Sequence, residues 1–406
     1  MISGVLGNLL EWYDFTIYGF FAVEIGTALL GSGEGGGTLE ALAIFAVGFL
    51  ARPFGGAILG SIADRFGRKK ALLLSVMGII IPTLLIAVLP THQQIGVWSG
   101  VLLLVLRLLQ GVAVGGEFTG SLVFLSELAG QGRRGLATGF SVAMAMAGIL
   151  LGSLMYTLLS SLMSADALGE WGWRLGFGFG SLMGIAVWLL LHTADESQGY
   201  VEEAAEESPL RDCIREHWRT ILRSMMFLGL PAAWCYAVTV FIVVLLHHRL
   251  EVDAVFAGAM GSIAAGIPIL LTPLIGAASD RYGRKPIMMT GSIAALLLGV
   301  PILALVDVSS TGMIVAAAVA GGVVLSMLQG GTAVALVEQF PERVRATGTG
   351  IAYNFSYALA GGTQPLLAFW LVDVTGSDLA PGGILVVLAV ISIVAIPFCR
   401  ETAFED

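Results

Sequence analysis

The sequence is poor in charge and in cysteine, and both shortages narrow the kinds of protein it can encode. Charged residues make up 12% of the 406 residues, roughly half the share in an ordinary soluble protein. The three cysteines lie far apart and form neither a metal-binding motif nor a disulfide framework. No nucleotide-binding loop, catalytic triad or zinc-ligand spacing is present. We therefore expect no enzyme, no cofactor, no bound metal and no nucleic-acid partner.

Apolar residues account for 57% of the chain and are collected in long uninterrupted segments. A membrane-spanning helix needs roughly 20 mostly apolar residues, and the pattern predicts twelve of them. No cleavable signal peptide is predicted before the first one. The predicted spans are 2–30, 39–63, 71–90, 96–127, 134–163, 172–192, 220–247, 254–278, 286–306, 310–337, 345–373 and 379–398.

The chain also contains an internal repeat. The segment at 60–70 (GSIADRFGRKK) recurs in the second half at 276–286 (GAASDRYGRKP). Shorter matches relate 109–111 (LQG) to 328–330 and 134–139 to 343–348, and this register places Arg107 opposite Ser326. Two related halves of six helices are typical of membrane proteins that move one half against the other.

Basic residues indicate how the chain is oriented. Sixteen of the 20 lysines and arginines fall on one side of the predicted topology, which is therefore predicted to be cytoplasmic and to hold both termini. The longest break separates the halves at 193–219. It is acidic and then amphipathic, with Leu210, Ile214 and Trp218 on one helical face. We predict halves at 1–192 and 220–406, joined by a linker with an interfacial helix; a simple solvated connector is the alternative.

Several motifs together resemble the major facilitator superfamily, and within it the metabolite:proton symporter group. The first motif is the charged loop between helices two and three, which is echoed between eight and nine. The resemblance implies two pseudo-symmetric six-helix bundles, alternating access, and proton-coupled symport of a small carboxylate or zwitterionic metabolite across a bacterial cytoplasmic membrane. Helix seven lacks the tyrosine-proline pattern expected there, so no particular substrate is carried over. The other matching stretches are GNLLEWYDFTIYG (7–19), LARPFGG (50–56), RLLQG (107–111), GGEFTG (115–120), EWGWR (170–174) and RATGTGIAYNFSYALAGGTQP (345–365).

Five charged residues lie deep inside predicted spans, and all of them belong to the first half: Glu11, Asp14, Arg52, Arg107 and Glu117. Membrane charges are costly unless paired or hydrated, so each is a functional candidate. Arginines suit a substrate carboxylate because the guanidinium is planar and always charged. The three acids are candidates for carrying protons. The alternatives are a permanent Asp14–Arg52 structural pair, and a Glu11 that extends its carboxylate toward the cytoplasmic end.

Polar residues on the same helical faces complete the candidate substrate site. Tyr18 and Gln110 share faces with the charges of helices one and four. Along helix eleven, polar residues recur every three or four positions and predict the opposing wall of a cavity; an ordinary interhelical seam is the alternative. These residues are Tyr353, Asn354, Tyr357 and Gln364.

The family resemblance implies a cytoplasmic gate made by the two charged loops and the acids that end helices four and ten. A purely topological role for the basic residues would leave the paired aspartates unexplained. The predicted gate residues are Asp64, Arg65, Arg68, Glu127, Arg134, Asp280, Arg281, Arg284, Glu338 and Arg343.

The sequence therefore predicts an all-α membrane protein that works as a monomeric secondary transporter in the lipid bilayer, moving a small carboxylate or zwitterion with protons. Uniport and proton-coupled antiport remain alternatives within transport, although deep arginines would repel the cationic drugs that many antiporters carry. A membrane sensor that does not transport is the alternative from another class; the chain shows no large soluble domain that would favour it.

Overall fold

The computed structural model describes residues 2–31, 37–130, 132–193, 209–246, 250, 252–306 and 310–404. Every regular element in these ranges is helical, and twelve helices form the body of the protein. Three of them continue outward through π-helical turns, at Gly26–Leu30, Ala237–Phe241 and Tyr357–Gly361. The twelve helices are α1 (Ile2–Phe20), α2 (Gly37–Phe66), α3 (Arg68–Ala87), α4 (Trp98–Ala129), α5 (Arg134–Leu162), α6 (Trp173–His192), α7 (Pro209–Tyr236), α8 (Ala254–Tyr282), α9 (Arg284–Val306), α10 (Thr311–Glu338), α11 (Arg345–Ser356) and α12 (Gly382–Ala395).

The predicted twelve-helix membrane architecture is confirmed. Within the described ranges, eight helices are long and apolar enough to cross a membrane by length and composition alone. Among the others, α1 carries the buried charges Glu11 and Asp14, α11 resumes as a second helix at Gln364–Thr375, and α12 is short.

The seventh helix differs from the prediction. It begins at Pro209 and runs without a break to Tyr236, so the amphipathic stretch is the first part of α7 rather than a separate interfacial helix. Proline is well suited to a first helical position because its missing N–H is not needed there. Ile214 and Trp218 are exposed on this stretch, whereas Cys213 is buried. The acidic part of the predicted linker, 194–208, lies outside the described residues.

Close glycine contacts correct the register of the repeat. Gly111 of α4 packs against the carbonyl of Gly48 in α2, and Gly322 of α10 packs in the same way against the carbonyl of Ala264 in α8. Gly48 and Ala264 are separated by the same interval as the two charged loops. Gly111 therefore corresponds to Gly322, and the Leu-Gln-Gly match, which paired Gly111 with Gly330, is out of register.

The corrected register changes one pairing. Arg107 corresponds to Ala318, and the predicted match to Ser326 is wrong. The displacement from Gly322 to Gly330 is about 12 Å along a helix, so the repeated Leu-Gln-Gly sits at a different depth in each half. The conclusion that the first half alone keeps a membrane arginine at this position is unchanged.

The two halves touch through glycine at what we call the basic end of the molecule, the end that carries Asp64, Arg68, Asp280 and Arg284. Gly135 of α5 lies on the carbonyl of Gly276 in α8. At the symmetric crossing, a Cβ on Gly350 of α11 would lie 2.6 Å from the carbonyl oxygen of Gly56 in α2. A Cβ at Gly135 or Gly350 would meet the backbone of the opposite half, so the two halves are in direct contact and the basic end is closed.

Gly350→Ala is expected to disfavour this closed state. A methyl group pressed onto backbone should cost about 1–3 kcal/mol, and the population open at the basic end should rise. Cys213 is buried and close enough to Asp64 to interact with it electrostatically, so its alkylation by a maleimide reports opening, with Cys235 and Cys399 replaced by alanine.

Gly178→Ala is the matched control, because no atom lies within 4 Å of the added methyl group. We expect faster alkylation of Cys213 in the Gly350 variant only. Equal alkylation rates in the two variants would show that the crossing does not hold the basic end closed.

Candidate functional site

Arg52 of α2 is paired with Glu11 of α1. Their side chains meet at 2.6 Å, and neither is more than 2% exposed. The second oxygen of Glu11 accepts a hydrogen bond from the backbone N–H of Phe118, at 3.1 Å. The alternative of an Asp14–Arg52 pair is therefore wrong, and Glu11 is an interior ion-pair partner rather than a residue extended toward the membrane surface.

Arg107 of α4 forms a second buried cluster with Asp14 of α1. The two charges are 3.4 Å apart, and Gln110 joins them by accepting from Arg107 at 2.9 Å and donating to Asp14 at 2.8 Å. Thr83 of α3, which the sequence pattern did not single out, donates to Asp14 at 2.7 Å. The Arg107 guanidinium lies 3.9 Å from the centre of the Tyr18 ring. Gln110 and Tyr18 thus hold Arg107 in place.

An aromatic layer separates the two arginines. The Phe15 ring lies 5.4 Å from the Arg52 guanidinium and 5.0 Å from that of Arg107. Phe49 also faces Arg52, and Phe45 faces Arg107. Cation–π contacts of this kind stabilise a guanidinium without neutralising it. The charges near the layer therefore form two separate ion pairs, Arg52 with Glu11 and Arg107 with Asp14.

Glu117 differs from the other two buried acids, Glu11 and Asp14, in its surroundings. It is 1% exposed and has no ion pair within the described part of the chain. Its Oε2 atom has no hydrogen-bond partner there, and its carboxyl group packs on Gly7. Glu11 is near enough to repel it. A carboxyl group in this setting is buried at much lower cost as the neutral acid.

A narrow cavity lies between the two halves, close to Arg52. Trp12 and Phe118 form its wall in the first half; Tyr353, Tyr357 and Gln329 face them from the second. Phe118 stacks on Tyr353 at 4.7 Å, and Tyr353 stacks on Tyr357 at 4.0 Å. No charged side chain lines the described walls. The cavity therefore offers aromatic faces to a ligand.

Arg52 borders this cavity through Trp12, whose ring centre is 5.6 Å from the guanidinium. Its Nε and Nη1 atoms have no hydrogen-bond partner within the residues described, and neither have Trp12 Nε1 and the Tyr236 hydroxyl. Tyr236 is close enough to Arg52 to interact with its charge. Arg52 therefore has two donors without partners in the described residues, and it lies behind the wall of the cavity.

The polar residues of helix eleven have two different roles: some line the cavity, and another forms a seam between helices. Tyr353 and Tyr357 line the cavity, as predicted. Asn354 instead donates to the Gly115 carbonyl of α4 at 2.7 Å, so it belongs to a seam between the halves. Gln364 is 1% exposed, neither of its amide atoms has a hydrogen-bond partner in the described part of the chain, and it does not line the cavity.

The sequence interpretation missed three residues at the site: Trp12, Tyr236 and Gln329. Trp12 directly follows Glu11 and lies within the matching stretch 7–19, but the pattern of charged and polar residues did not single it out. Tyr236 falls in the part of helix seven searched for a tyrosine-proline pattern, and Pro231 lies a little more than one helical turn before it. An aromatic residue near a helix-interior proline was the available signal.

At the basic end, Asp64 of α2 caps the start of α11. It accepts hydrogen bonds from the backbone N–H groups of Ala346 and Thr347, at 3.1 and 2.8 Å, and from the Thr347 hydroxyl. Arg68 holds Asp64 at 2.7 Å and reaches Glu127 at 3.3 Å. A carboxylate at a helix N-terminus satisfies free N–H groups and the helix dipole together.

The second half repeats this arrangement against the first. Asp280 of α8 accepts from the N–H groups of Gly135 and Leu136 in α5, at 2.8 and 3.0 Å. Arg284 holds Asp280 at 2.7 Å and Glu338 at 3.0 Å. In each half, an aspartate thus caps a helix of the other half, and an arginine joins that aspartate to a glutamate.

Two further arginines, Arg134 and Arg345, form ion pairs with the opposite half. Arg134 lies 3.7 Å from Glu338, and Arg345 lies 3.4 Å from Glu127. Arg343, which was predicted for this role, is instead on the surface, 2.9 Å from Glu216. The prediction of Arg343 used the same wrong register as the match of Arg107 to Ser326. In the corrected register, Arg134 corresponds to Arg345.

Arg65 and Arg281, also predicted as gate parts, are exposed at the surface of the charged loops. Each guanidinium faces the aromatic ring that follows it, Phe66 at 5.1 Å and Tyr282 at 5.5 Å. They lie outside the buried network that joins the halves.

Two halves related by a repeat and joined by reciprocal charged loops characterise one transporter family, and a family model agrees. The model of the Major Facilitator Superfamily matches residues 4–362 and 225–402. The chain belongs to the major facilitator superfamily. The protein is therefore a member of a membrane transporter family and not an enzyme.

Curated relatives of this superfamily member include several bacterial transporters. It is 32% identical to the glycine betaine/proline/ectoine/pipecolic acid transporter OusA of Dickeya dadantii, covering 99% of this chain and 83% of that protein. It is 35% identical to the alpha-ketoglutarate permease of Escherichia coli, covering 92% and 87%. Identity to the citrate-proton symporter of Klebsiella pneumoniae is 30%, covering 93% and 86%.

Among solved structures, the chain is similar to the proton:xylose symporter XylE bound to 6-bromo-6-deoxy-D-glucose. The TM-score is 0.81 at 18% identity, and the match covers 99% of this chain and 95% of that one. At this identity the likeness supports the fold of the superfamily and says nothing about the ligand.

The pairing of Arg52 with Glu11 makes a prediction about stability. Glu11→Gln should leave a buried guanidinium uncompensated and destabilise the protein by about 3–5 kcal/mol, and adding Arg52→Met should recover part of that loss. Thermal unfolding in detergent measures both changes. Asp14→Asn combined with Arg52→Met is the matched control. Its change in the free energy of unfolding should equal the sum of the changes in the two single variants. A coupling as large for Asp14 as for Glu11 would contradict the assigned pairs.

Proposed function

We propose that the protein is a monomeric secondary transporter of a bacterial cytoplasmic membrane that moves a small carboxylate or zwitterionic metabolite together with protons by alternating access. The basic end, which holds most of the lysines and arginines, is the cytoplasmic end. The halves are those predicted from the sequence, with the boundary drawn before α7. The relatives named as betaine, alpha-ketoglutarate and citrate transporters support this class of substrate.

One observation carries the proposal: Arg52 is held by Glu11 at one nitrogen while Nε and Nη1 remain without partners, beside a cavity between the two halves. A second carboxylate can therefore accept a hydrogen bond from either free donor of the same guanidinium, Nε or Nη1, which lie on opposite edges of the group. Tyr236 has an unpaired hydroxyl nearby that can donate to the same ligand.

The ion pair also supplies a mechanism for coupling. The carboxylates of Glu11 and of the substrate compete for Arg52. Protonation of Glu11 removes its negative charge and so ends its competition for the arginine. The protonated acid releases the guanidinium, and the substrate carboxylate takes its place; when the substrate leaves, Glu11 gives up its proton and the pair re-forms. Each binding event favours the other, as thermodynamic linkage requires.

Glu117 is placed to take part in this proton transfer. It lies beside Glu11 without a cation of its own, and it follows Arg107 on α4 by about 15 Å toward the basic end. A proton leaving Glu11 toward the cytoplasm would meet Glu117 next. Asp14, by contrast, is held by Arg107, Gln110 and Thr83 and serves in the outer part of the site.

The cavity favours a particular kind of substrate. Its walls are aromatic and carry no second cation, and Arg107 lies behind the aromatic layer of Phe15. The arrangement suits a zwitterion with one carboxylate once the cavity, which now has room for about one water molecule, has widened, because the cationic end of the zwitterion can pack on the rings of Trp12 and Tyr353. A dicarboxylate would leave one charge without a partner.

Uptake into proteoliposomes tests the proposal. With the membrane potential clamped and the outside more acidic than the lumen, the protein should accumulate proline or betaine above equilibrium. Glu11→Gln should abolish this accumulation and leave exchange of substrate for substrate intact, because only the proton-dependent step is lost.

Asp14→Asn and Glu117→Gln are the comparison variants. Loss of accumulation in the Asp14 variant alone would transfer the coupling role to that acid. If wild-type protein only equilibrates substrate under the pH gradient, the protein is a uniporter; if it expels substrate, it is an antiporter. Binding without any flux would make it a sensor, and each of these three results contradicts symport.

A further inference from the structure

A groove on the outside of the first half has no part in the transport site. It runs between the ends of α2 and α3, is open to the bilayer, and encloses about 740 Å³ including the space at its mouth. Its lining is almost entirely carbon, and the side chains that form it are Ile62, Phe66, Lys70, Leu73 and Leu74. Phe66 and Leu74 are 47% and 54% exposed. The groove therefore accepts an apolar chain from the membrane.

The groove has one charged group, and that group is at the basic end. The neighbouring basic residues are occupied: Arg68 binds Asp64 and Glu127, and Lys69 donates to the His192 carbonyl at 2.8 Å. Lys70 is exposed, and no ion pair to it occurs within the described ranges. An ammonium group at the membrane surface, at the end of an apolar groove, matches the shape and charge of an anionic lipid.

The second half shows that the fold does not require this lysine. Lys69 corresponds to Lys285, which makes the equivalent bond to the Pro397 carbonyl at 3.1 Å, so that position is structural in both halves. Lys70, however, corresponds to Pro286, and Leu74 corresponds to Thr290. At the corresponding positions the second half has neither the lysine nor the leucine, so this combination of side chains is particular to the first-half site.

From this combination we infer a lipid site: the groove binds an anionic phospholipid of the leaflet at the basic end, with its phosphate on Lys70 and an acyl chain along Phe66, Leu73 and Leu74. The two helices that form the groove are joined by the turn between Phe66 and Arg68. Bound lipid therefore packs against the outside of the segment whose inner side carries the gate residues Asp64 and Arg68.

Native mass spectrometry of the purified full-length protein tests the site, by titrating phosphatidylglycerol and phosphatidylcholine with identical chains. Phosphatidylglycerol should bind more tightly, and Lys70→Gln should lower its affinity about fivefold, since a basic residue near a membrane surface contributes about that factor. Lys70→Arg should keep the preference. Leu74→Trp, which fills the groove and keeps the charge, should lower the affinity for both lipids.

Arg281→Gln is the matched control, because it removes an exposed basic residue from the equivalent loop of the second half. Equal losses in the Lys70 and Arg281 variants would show general charge attraction and overturn the site. Equal binding of the two phospholipids would overturn it as well. Competition by inorganic phosphate at the same concentration would show an anion site that does not recognise a lipid. None of these results depends on whether the protein symports protons.

Discussion

A guanidinium buried in a membrane protein must have a negative partner, and the interior of this protein is arranged around that requirement. Arg52 and Arg107 are no more than 2% exposed, and each meets one carboxylate of α1. Removing one member of such a pair leaves an uncompensated charge, which is far more costly than the pair itself. A transport cycle built on these arginines can therefore proceed only by exchange, with one anion replacing another. Proton binding to the displaced acid is the natural counterpart of that exchange.

The same constraint on charge holds the molecule closed at the basic end. Asp64 and Asp280 each cap a helix of the opposite half, and each is fixed by an arginine of its own loop. The two grips are related by the repeat, so the interface is nearly self-complementary. Glycines at the crossings let the backbones come together where these caps form. Opening the basic end must break both caps together, which favours two discrete states over a continuum.

Much of the fold and of the candidate site could be predicted from the sequence, because the repeated patterns of apolar and charged residues are strong. Twelve apolar segments, a charged loop repeated in the second half and five membrane charges in the first half indicated the architecture and most residues of the site. Partner choice could not be predicted, since Glu11 and Asp14 are one helical turn apart and only the packing of α2 on α1 decides which of them meets Arg52. The register of the later repeats failed for a related reason: Arg343 and Leu328–Gly330 matched in letters, whereas glycine contacts fix the real equivalence. Trp12 and Tyr236 were missed because the sequence alone does not distinguish an aromatic residue at the site from one that packs in the apolar core of a span.

The claim that substrate and Glu11 exchange places on Arg52 is tested most directly by counting protons taken up on substrate binding. Calorimetric titration of the purified protein with proline or betaine, repeated in buffers of different ionisation enthalpy, gives that number. The account predicts proton uptake of up to one proton per bound substrate, and none when Glu11 is replaced by glutamine. Binding heats independent of the buffer, or the same proton uptake in the Glu11 variant, would contradict it.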